Sequence, residues 1–152
     1  MRTVLPVLLF TATGWAGEFG TWKMNPARSK FLVGSHPRSA TVRIEPHVKG
    51  EVFTYDRVTS DGQAVTISTI LYLDGKQRSG QPQICSGGSG IQSSRRLDDG
   101  SVEFSTQCKN GRWGRFVHRL TPGSRDLIFE MTQGEPKGLR IERQLVLEEV
   151  LP

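Results

Sequence analysis

Cysteine and histidine are scarce in this chain of 152 residues, which contains two of the first and three of the second. Two cysteines, Cys85 and Cys108, are too few for a four-thiolate zinc site or a disulfide-dense scaffold. His36, His47 and His118 stand in different segments, without the spacing by which metal ligands share one element. The sequence therefore predicts no metal and no cofactor.

Catalytic motifs are also missing. The glycine-rich run SGGSG at 86–90 is not followed by the Lys-Ser or Lys-Thr pair of a phosphate-binding loop, and it lacks the G-x-S-x-G spacing of a nucleophilic serine. The adjacent acids at 98–99 and at 148–149 would point to opposite faces of a strand, so neither pair converges on one proton. We predict no catalytic residue and a protein that is not an enzyme, with an uncharacterised hydrolase as the alternative.

Long apolar runs are absent, and the short run at 4–10 cannot comfortably span a bilayer. This run follows Arg2 and precedes small residues up to Ala16, which is the pattern of a secretory signal peptide. We predict a signal peptide over 1–16, a single mature domain over 17–152 and a secreted or periplasmic location. A buried N-terminal strand or a retained anchor is the alternative, and no later segment is predicted to cross a membrane.

The predicted compartment bears on the two cysteines. Export exposes Cys85 and Cys108 to oxidising conditions, where one disulfide between them is the simplest state. Two free buried thiols are the alternative, because spacing alone does not establish pairing.

A strong charge of one sign is absent as well. The formal net charge is +5, and basic residues are interspersed with acidic ones over most of the chain. This is a mild bias toward anionic partners and falls short of the basic patch of a nucleic-acid-binding protein. No nucleic-acid partner is expected.

Short runs of alternating apolar residues fill the rest of the chain, and no window keeps a helical period. The pairs Asp61-Gly62 and Asn110-Gly111 are typical hairpin turns, and loops are predicted at 32–39 and 76–90. Eight strands follow from these boundaries, at 41–45, 51–60, 63–73, 91–97, 101–109, 112–120, 126–132 and 139–150. Such antiparallel strands form a sandwich or an up-and-down barrel, and alternation alone does not separate the two.

Two local registers need an explanation. Phe53 and Tyr55 are out of phase with Val58, which predicts a bulge near Asp56. The second case is the hairpin at Asn110-Gly111, where a strict two-residue turn would place arginines of the next strand inside the fold and so require an anionic ligand or internal carboxylates.

A one-residue bulge at Gly111 would reverse that hairpin register. Phe116, His118 and Leu120 would then face inward and the arginines outward. We favour the bulged register because an unpaired internal charge is costly.

The stretch GTWKMNPARSKF at 20–31 resembles the start of the mature chains in a family of uncharacterised, secreted bacterial proteins with a lipocalin-like fold. The similarity continues through SATVRIEP, the turn at 61–62, YLDGK and TPGSRDLIFEMT, so it covers most of the mature chain. The resemblance implies an all-β fold, an eight-stranded antiparallel up-and-down barrel. The family has no established activity, and the cysteine pair and the run NGRWGRFVHR depart from its pattern.

The same resemblance implies how the barrel is closed. Gly20-Thr21-Trp22 is similar to the Gly-x-Trp signature of lipocalin barrels, where the tryptophan closes the floor and an arginine packs across its ring. Arg143 is the candidate partner of Trp22, because it shares a strand face with Leu145 and Leu147. The alternative is that Arg143 extends to solvent at a strand end.

These features together predict an exported small β-barrel that binds an apolar or amphipathic small molecule in its interior. The residues predicted to line that interior are Phe53, Tyr55, Ile67, Leu71, Phe104, Phe116, His118, Phe129 and Met131. The alternative function is a surface-binding or structural module of the cell envelope, in which the basic aromatic strand from Arg112 to Arg119 meets anionic polymer or lipid head groups. No feature of the sequence indicates an oligomeric state.

Overall fold

The computed structural model describes residues 18–151, and the predicted signal peptide at 1–16 lies outside the described residues. The described chain folds into strands of one antiparallel sheet, with a 3₁₀ turn at Gln83–Cys85. The strands are β1 (Gly20–Met24), β2 (Lys30–Val33), β3 (Ser39–His47), β4 (Gly50–Val58), β5 (Ala64–Leu71), β6 (Arg78–Gly80), β7 (Gly90–Arg96), β8 (Val102–Cys108), β9 (Trp113–Leu120), β10 (Leu127–Gly134) and β11 (Arg140–Glu149).

Neighbours in the sheet are nearly always neighbours in sequence. The order is β5-β4-β3-β1-β11-β10-β9-β8-β7-β6, and β2 also pairs with β11. The first and last strands therefore lie side by side in the middle of the sheet, while the edges are β5 and β6 from the middle of the chain. The sheet curls until β5 approaches β7, the strand next to the β6 edge, which gives an up-and-down barrel with a gap between β5 and β7.

The gap is closed at one end by backbone contacts. Asp74 forms an isolated antiparallel bridge with Arg95, and the Gly75 amide donates to the Ser94 carbonyl at 2.8 Å. The Leu73 amide donates to the Ser94 hydroxyl at 2.9 Å. The chain after β5 thus attaches to β7 without forming a continuous ladder.

The predicted all-β, antiparallel up-and-down fold is confirmed, but the predicted count of eight strands is wrong. The eight predicted runs correspond to β3, β4, β5 and β7 to β11, and the structure adds β1, β2 and β6. Each added strand has five residues or fewer, which is too short to show a clear alternation.

Three local predictions are corrected by the structure. The loop predicted at 32–39 is shorter, because β2 continues to Val33 and β3 begins at Ser39. The loop predicted at 76–90 contains β6 and the 3₁₀ turn. The bulge predicted near Asp56 is absent, since β4 pairs residue for residue with both of its neighbours and Val58 belongs to the outer face.

The bulged register predicted at Gly111 is confirmed. The Cys108 amide donates to the Arg112 carbonyl at 2.7 Å, and the Gly111 amide donates to the Cys108 carbonyl at 3.0 Å. Gly111 adopts a φ of 92°, a conformation that glycine reaches without steric cost. This three-residue turn pairs Phe116 with Phe104 on the inner face and leaves Arg115 exposed.

The inner face of the sheet supplies the hydrophobic core. Its largest fully buried apolar side chains come from seven strands, and each contributes about 1.5–3 kcal/mol by leaving water. They include Trp22 (β1), Ile44 (β3), Phe53 (β4), Leu71 (β5), Phe129 (β10) and Leu145 (β11).

The predicted disulfide between Cys85 and Cys108 is present. It attaches the 3₁₀ turn to the end of β8, so the segment between β6 and β7 is fixed against the barrel. Gly90 lies under this bond, and a Cβ atom there would be 2.8 Å from the Cys85 Sγ and 2.9 Å from the Gln107 carbonyl oxygen. Only glycine leaves room for this approach.

Candidate ligand-binding site

The inner face of the barrel carries the nine residues that were predicted to contact a ligand. Ile67 is half-buried, and the other eight, Phe53, Tyr55, Leu71, Phe104, Phe116, His118, Phe129 and Met131, are buried. The Phe53 ring lies 5.1 Å from the rings of Phe104 and Phe129 and 5.5 Å from that of His118. These rings form an aromatic cluster that fills part of the interior.

A cavity of about 500 Å³ remains between this aromatic cluster and the gap in the sheet. Its size is typical of a site for a small molecule. Five of the predicted residues line it, namely Phe53, Tyr55, Ile67, Phe104 and Phe116, and the segment 78–84 forms the opposite wall. The other four, Leu71, His118, Phe129 and Met131, are buried but do not line this cavity.

Polar side chains cross the gap inside the cavity. The Gln92 amide donates to the Thr69 hydroxyl at 2.9 Å, and the Thr106 hydroxyl donates to the Gln92 carbonyl oxygen at 3.4 Å. Nearby, the Ser68 amide on the edge of β5 donates to the Gln83 side chain at 2.7 Å. Side chains thus replace the backbone ladder where β5 and β7 are too far apart to pair.

A second cavity, of about 690 Å³, opens at the end of the barrel that carries the β4–β5, β8–β9 and β10–β11 turns. It adjoins the first cavity, because Ile67, Gln83 and Ile84 line both. Arg57 and Trp113 lie on its wall. We call this second cavity the mouth of the barrel.

Three polar side chains converge between the cavity and the mouth. Tyr55 lines the cavity, yet its hydroxyl is buried without a hydrogen-bond partner. Arg143 is 8% exposed, and its guanidinium donates to the Ser35 carbonyl oxygen, with the Nε atom at 3.0 Å. The Arg57 guanidinium lies 5.7 Å from the centre of the Tyr55 ring.

Burial and charge act in opposite directions on these groups. Burial raises the pKa of the Tyr55 hydroxyl, and the neighbouring guanidinium groups of Arg57 and Arg143 oppose that shift. Burial also lowers the pKa of Arg143, because the charged form loses water. Within residues 18–151, neither Arg57 nor Arg143 forms an ion pair with a carboxylate.

The predicted stacking of Arg143 on Trp22 is corrected by these contacts. Trp22 pairs with Glu149 on β11, whereas Arg143 of the same strand pairs with Phe31. Arg143 precedes Glu149 by six residues, so the two positions are about 20 Å apart along β11. Trp22 is fully buried and donates its indole N–H to the Arg125 carbonyl oxygen at 3.1 Å. Trp22 therefore lies at the end of the barrel remote from the mouth, and Arg143 lies toward the mouth.

No protein-family model and no curated protein matches the sequence. The fold is similar to that of the zebrafish ileal bile acid-binding protein, whose crystal structure is a complex with cholic acid. The two chains share 12% sequence identity with a TM-score of 0.49, and the alignment covers 88% of this chain and 99% of the other.

The interior also contains a buried acidic side chain that the sequence analysis missed. The carboxylate of Glu51 lies 2.8 Å from the Nε2 atom of His118, and the two residues are 1% and 3% exposed. Alternation along β4 could have indicated Glu51, since it shares an inward face with Phe53 and Tyr55. No motif draws attention to it, because a lone glutamate at the start of a strand is usually exposed.

The basic aromatic strand is β9, and its charges are already engaged. Each of its arginines and the arginine before it pairs with a glutamate from a neighbouring element: Arg112 with Glu135 at 3.0 Å, Arg115 with Glu103 at 2.6 Å and Arg119 with Glu130 at 3.5 Å. The outer surface of β9 is thus a mixed-charge surface and not a basic stripe. This pairing weighs against the alternative of an envelope module that binds polyanions through β9.

Metal-ligand clusters and membrane-spanning helices are both absent from residues 18–151. No group of three or more histidine, cysteine, aspartate or glutamate side chains in this part of the chain could hold a metal ion. No helix among the same residues has the length and apolar character needed to cross a membrane.

Proposed function

We propose that this protein is an exported container that holds an apolar or amphipathic small molecule inside its barrel. The observation that carries the proposal is the cavity of about 500 Å³, which adjoins the open mouth. Its wall combines the rings of Phe53, Phe104 and Phe116 with polar side chains, among which Gln92 is held by hydrogen bonds to Thr69 and Thr106. An apolar cavity with a few fixed polar groups is the usual form of a small-molecule site.

The proposal is tested by filling the cavity and leaving the outer surface unchanged. Thr106 is 4% exposed and lines the cavity, while its neighbour Gln107 is exposed on the opposite face of β8. We expect Thr106→Phe to reduce binding of the uncharged dye Nile red and of 1-decanol by about tenfold or more, because the added ring occupies the ligand volume. Gln107→Phe is the matched control and should bind as the wild type does.

Dye fluorescence and competition by 1-decanol measure the affinity, and circular dichroism checks that both variants stay folded. If Nile red and 1-decanol bind neither the wild type nor the control, the container proposal is wrong. Equal binding by Thr106→Phe and Gln107→Phe, with both folded, would place any ligand outside this cavity and would also overturn it.

The proposal includes export, which rests on the sequence pattern at 1–16 and on the Cys85–Cys108 disulfide. Intact mass spectrometry of the protein from the periplasm or medium of its own host tests this part. The expected mass is that of a chain beginning at Gly17 and lacking two hydrogens at the cysteines. A chain that keeps residues 1–16 would contradict cleavage.

A further inference from the structure

The Tyr55 hydroxyl is unusual because it is buried and makes no hydrogen bond among residues 18–151, although the guanidinium groups of Arg57 and Arg143 lie near it. Leaving a buried hydroxyl without a hydrogen bond is unfavourable, so such groups in native proteins call for an explanation. Tyr55 is 4% exposed and lines the cavity. A ligand group that accepts a hydrogen bond would supply the missing partner.

Two positive charges lie beside this hydroxyl. Arg57 and Arg143 follow the inward alternation of β4 and β11, and both guanidinium groups are close enough to Tyr55 to affect its ionisation. Arg143 is nearly buried, and its hydrogen bonds go to the carbonyl oxygen of Ser35 and the sulfur of Met131, which carry no charge. Buried or half-buried charges without a counter-ion are costly, and an anionic ligand removes that cost.

The other arginines that line the mouth have carboxylate partners. Arg112 also lines the mouth, but it pairs with Glu135 at 3.0 Å and donates to the Ser86 hydroxyl at 2.6 Å. Arg140 pairs with Glu142. The unpaired charge at this end of the barrel is therefore concentrated beside Tyr55.

We infer that Tyr55, Arg57 and Arg143 form a site for the carboxylate head group of an amphipathic ligand. The inference rests on the proposed function, because the apolar tail of such a ligand would occupy the cavity lined by Phe53, Phe104 and Phe116. A carboxylate accepts hydrogen bonds only, which suits one hydroxyl and two guanidinium donors. The head group would face the mouth and the tail would face the aromatic cluster.

The experiment compares two ligands that share one tail. Decanoate and 1-decanol compete with Nile red at neutral pH on the wild type, Tyr55→Phe, Arg57→Gln and the control Arg112→Gln. We expect the wild type to prefer decanoate by about 10- to 100-fold, which is the usual effect of charge-assisted hydrogen bonds. Tyr55→Phe and Arg57→Gln should each weaken decanoate by about tenfold and leave 1-decanol unchanged, whereas Arg112→Gln should change neither.

The variants are chosen to keep the fold. Tyr55→Phe removes an oxygen atom that makes no hydrogen bond, and Arg57 is half-buried at the end of β4. Arg143 is left in place because its bonds to Ser35 hold the β2–β3 segment. Thermal unfolding of each variant verifies that the fold is intact.

The outcomes separate the two proposals. Equal affinity for decanoate and 1-decanol, unchanged in Tyr55→Phe and Arg57→Gln, overturns the carboxylate site and leaves the container. A loss of decanoate binding in Arg112→Gln equal to that in Arg57→Gln would show a general effect of charge at the mouth and would also overturn it. Absence of binding by Nile red and both ligands overturns the container itself.

Discussion

The contact between Glu51 and His118 shows how much depends on single side chains inside this barrel. Both residues are almost fully buried, and the His118 ring stacks on Phe53 at 5.5 Å with an interplanar angle of 12°. A buried carboxylate is stable only where it has partners. His118 therefore serves to satisfy Glu51 within the aromatic cluster.

Removing one member of this pair should destabilise the protein more than removing both. We expect Glu51→Leu to lower the free energy of unfolding by about 3 kcal/mol, because it leaves His118 buried without its partner. The double variant Glu51→Leu/His118→Phe should recover most of that loss. Denaturant unfolding measures both values.

Glu45 provides the control for that comparison. It lies exposed on β3 and pairs with Arg43 at 2.5 Å, with about half of each side chain open to solvent. Glu45→Leu should change the unfolding free energy by less than about 1 kcal/mol. A loss as large as that of Glu51→Leu would contradict the role assigned to the buried pair.

At the scale of elements, the 3₁₀ turn at Gln83–Cys85 links stability to the proposed ligand cavity. The disulfide holds it against β8, and Ile84 within it lines both cavities. The cysteines are 23 residues apart in sequence, and closing a loop of this length stabilises a protein by about 3 kcal/mol. The turn is thus a wall of the cavity as well as an attachment point.

Breaking the disulfide should therefore affect stability and binding together. We expect Cys85→Ala/Cys108→Ala to lower the unfolding free energy by about 3 kcal/mol and to weaken Nile red binding several-fold, since Ile84 loses its fixed position. Guanidinium unfolding and dye titration measure the two effects. Unchanged dye binding in a folded variant would mean that the turn keeps its place without the covalent bond.

The corner after β5 is held by electrostatics. Arg78 donates to both carboxylate oxygens of Asp74, at 2.9 and 2.7 Å, and its guanidinium stacks on Tyr72 at 3.8 Å. Hydrogen bonds from Arg78, and then from the Lys76 amide, hold the pKa of Asp74 well below its usual range. The carboxylate stabilises the folded chain only while it is ionised.

This corner predicts a pH dependence. Because the pKa of Asp74 is lower in the folded chain than its ordinary value of 3.8, the stabilisation is complete above that value and is lost as the pH falls below it. Asp74→Asn should unfold at a lower temperature than the wild type at neutral pH, and the difference should shrink in strong acid. Asp98→Asn, at an exposed acid in the β7–β8 turn, is the control and should leave the unfolding temperature at neutral pH unchanged.

At the scale of the whole molecule, side-chain hydrogen bonds close the barrel at the gap between β5 and β7, where no backbone ladder forms. Gln83 accepts from the Ser68 amide at 2.7 Å, at an edge that no neighbouring strand covers. Gln83→Ala should therefore speed hydrogen exchange at Ser68 more than tenfold, because that amide loses its acceptor. Gln81→Ala, at an exposed neighbour, should leave the exchange rate unchanged.

The sequence predicted the fold better than it predicted the site. Alternation and turn pairs located the long strands, and the cost of internal charge selected the bulged turn at Gly111. The same argument about charge did not anticipate that Arg57 faces inward, and it gave Arg143, which was placed on the inward face of its strand, the wrong partner. Alternation within β4 and β11 indicates this only when the register is known, and Tyr55 and Arg143 meet through the curl of the sheet across 88 residues of chain.

The cavity could not be predicted for a related reason. The aromatic residues of the inner face were identified, but a sequence does not show which of them pack together and which leave space. Phe53 and Phe104, for example, pack against each other in the aromatic cluster and also line the cavity. The separation depends on distances set by the whole curled sheet.

The start of β1 lies beside the end of β11, which would allow a circular permutation of the described domain. The Val150 amide donates to the Thr21 carbonyl oxygen at 2.8 Å, so a short linker could join residue 151 to residue 18. New ends placed between Gly75 and Lys76 would then make the order of strands along the chain follow their order across the sheet, except for β2. Such a circular permutant would carry its ends at the gap between β5 and β7. A reporter fused there could respond when a small molecule enters the barrel.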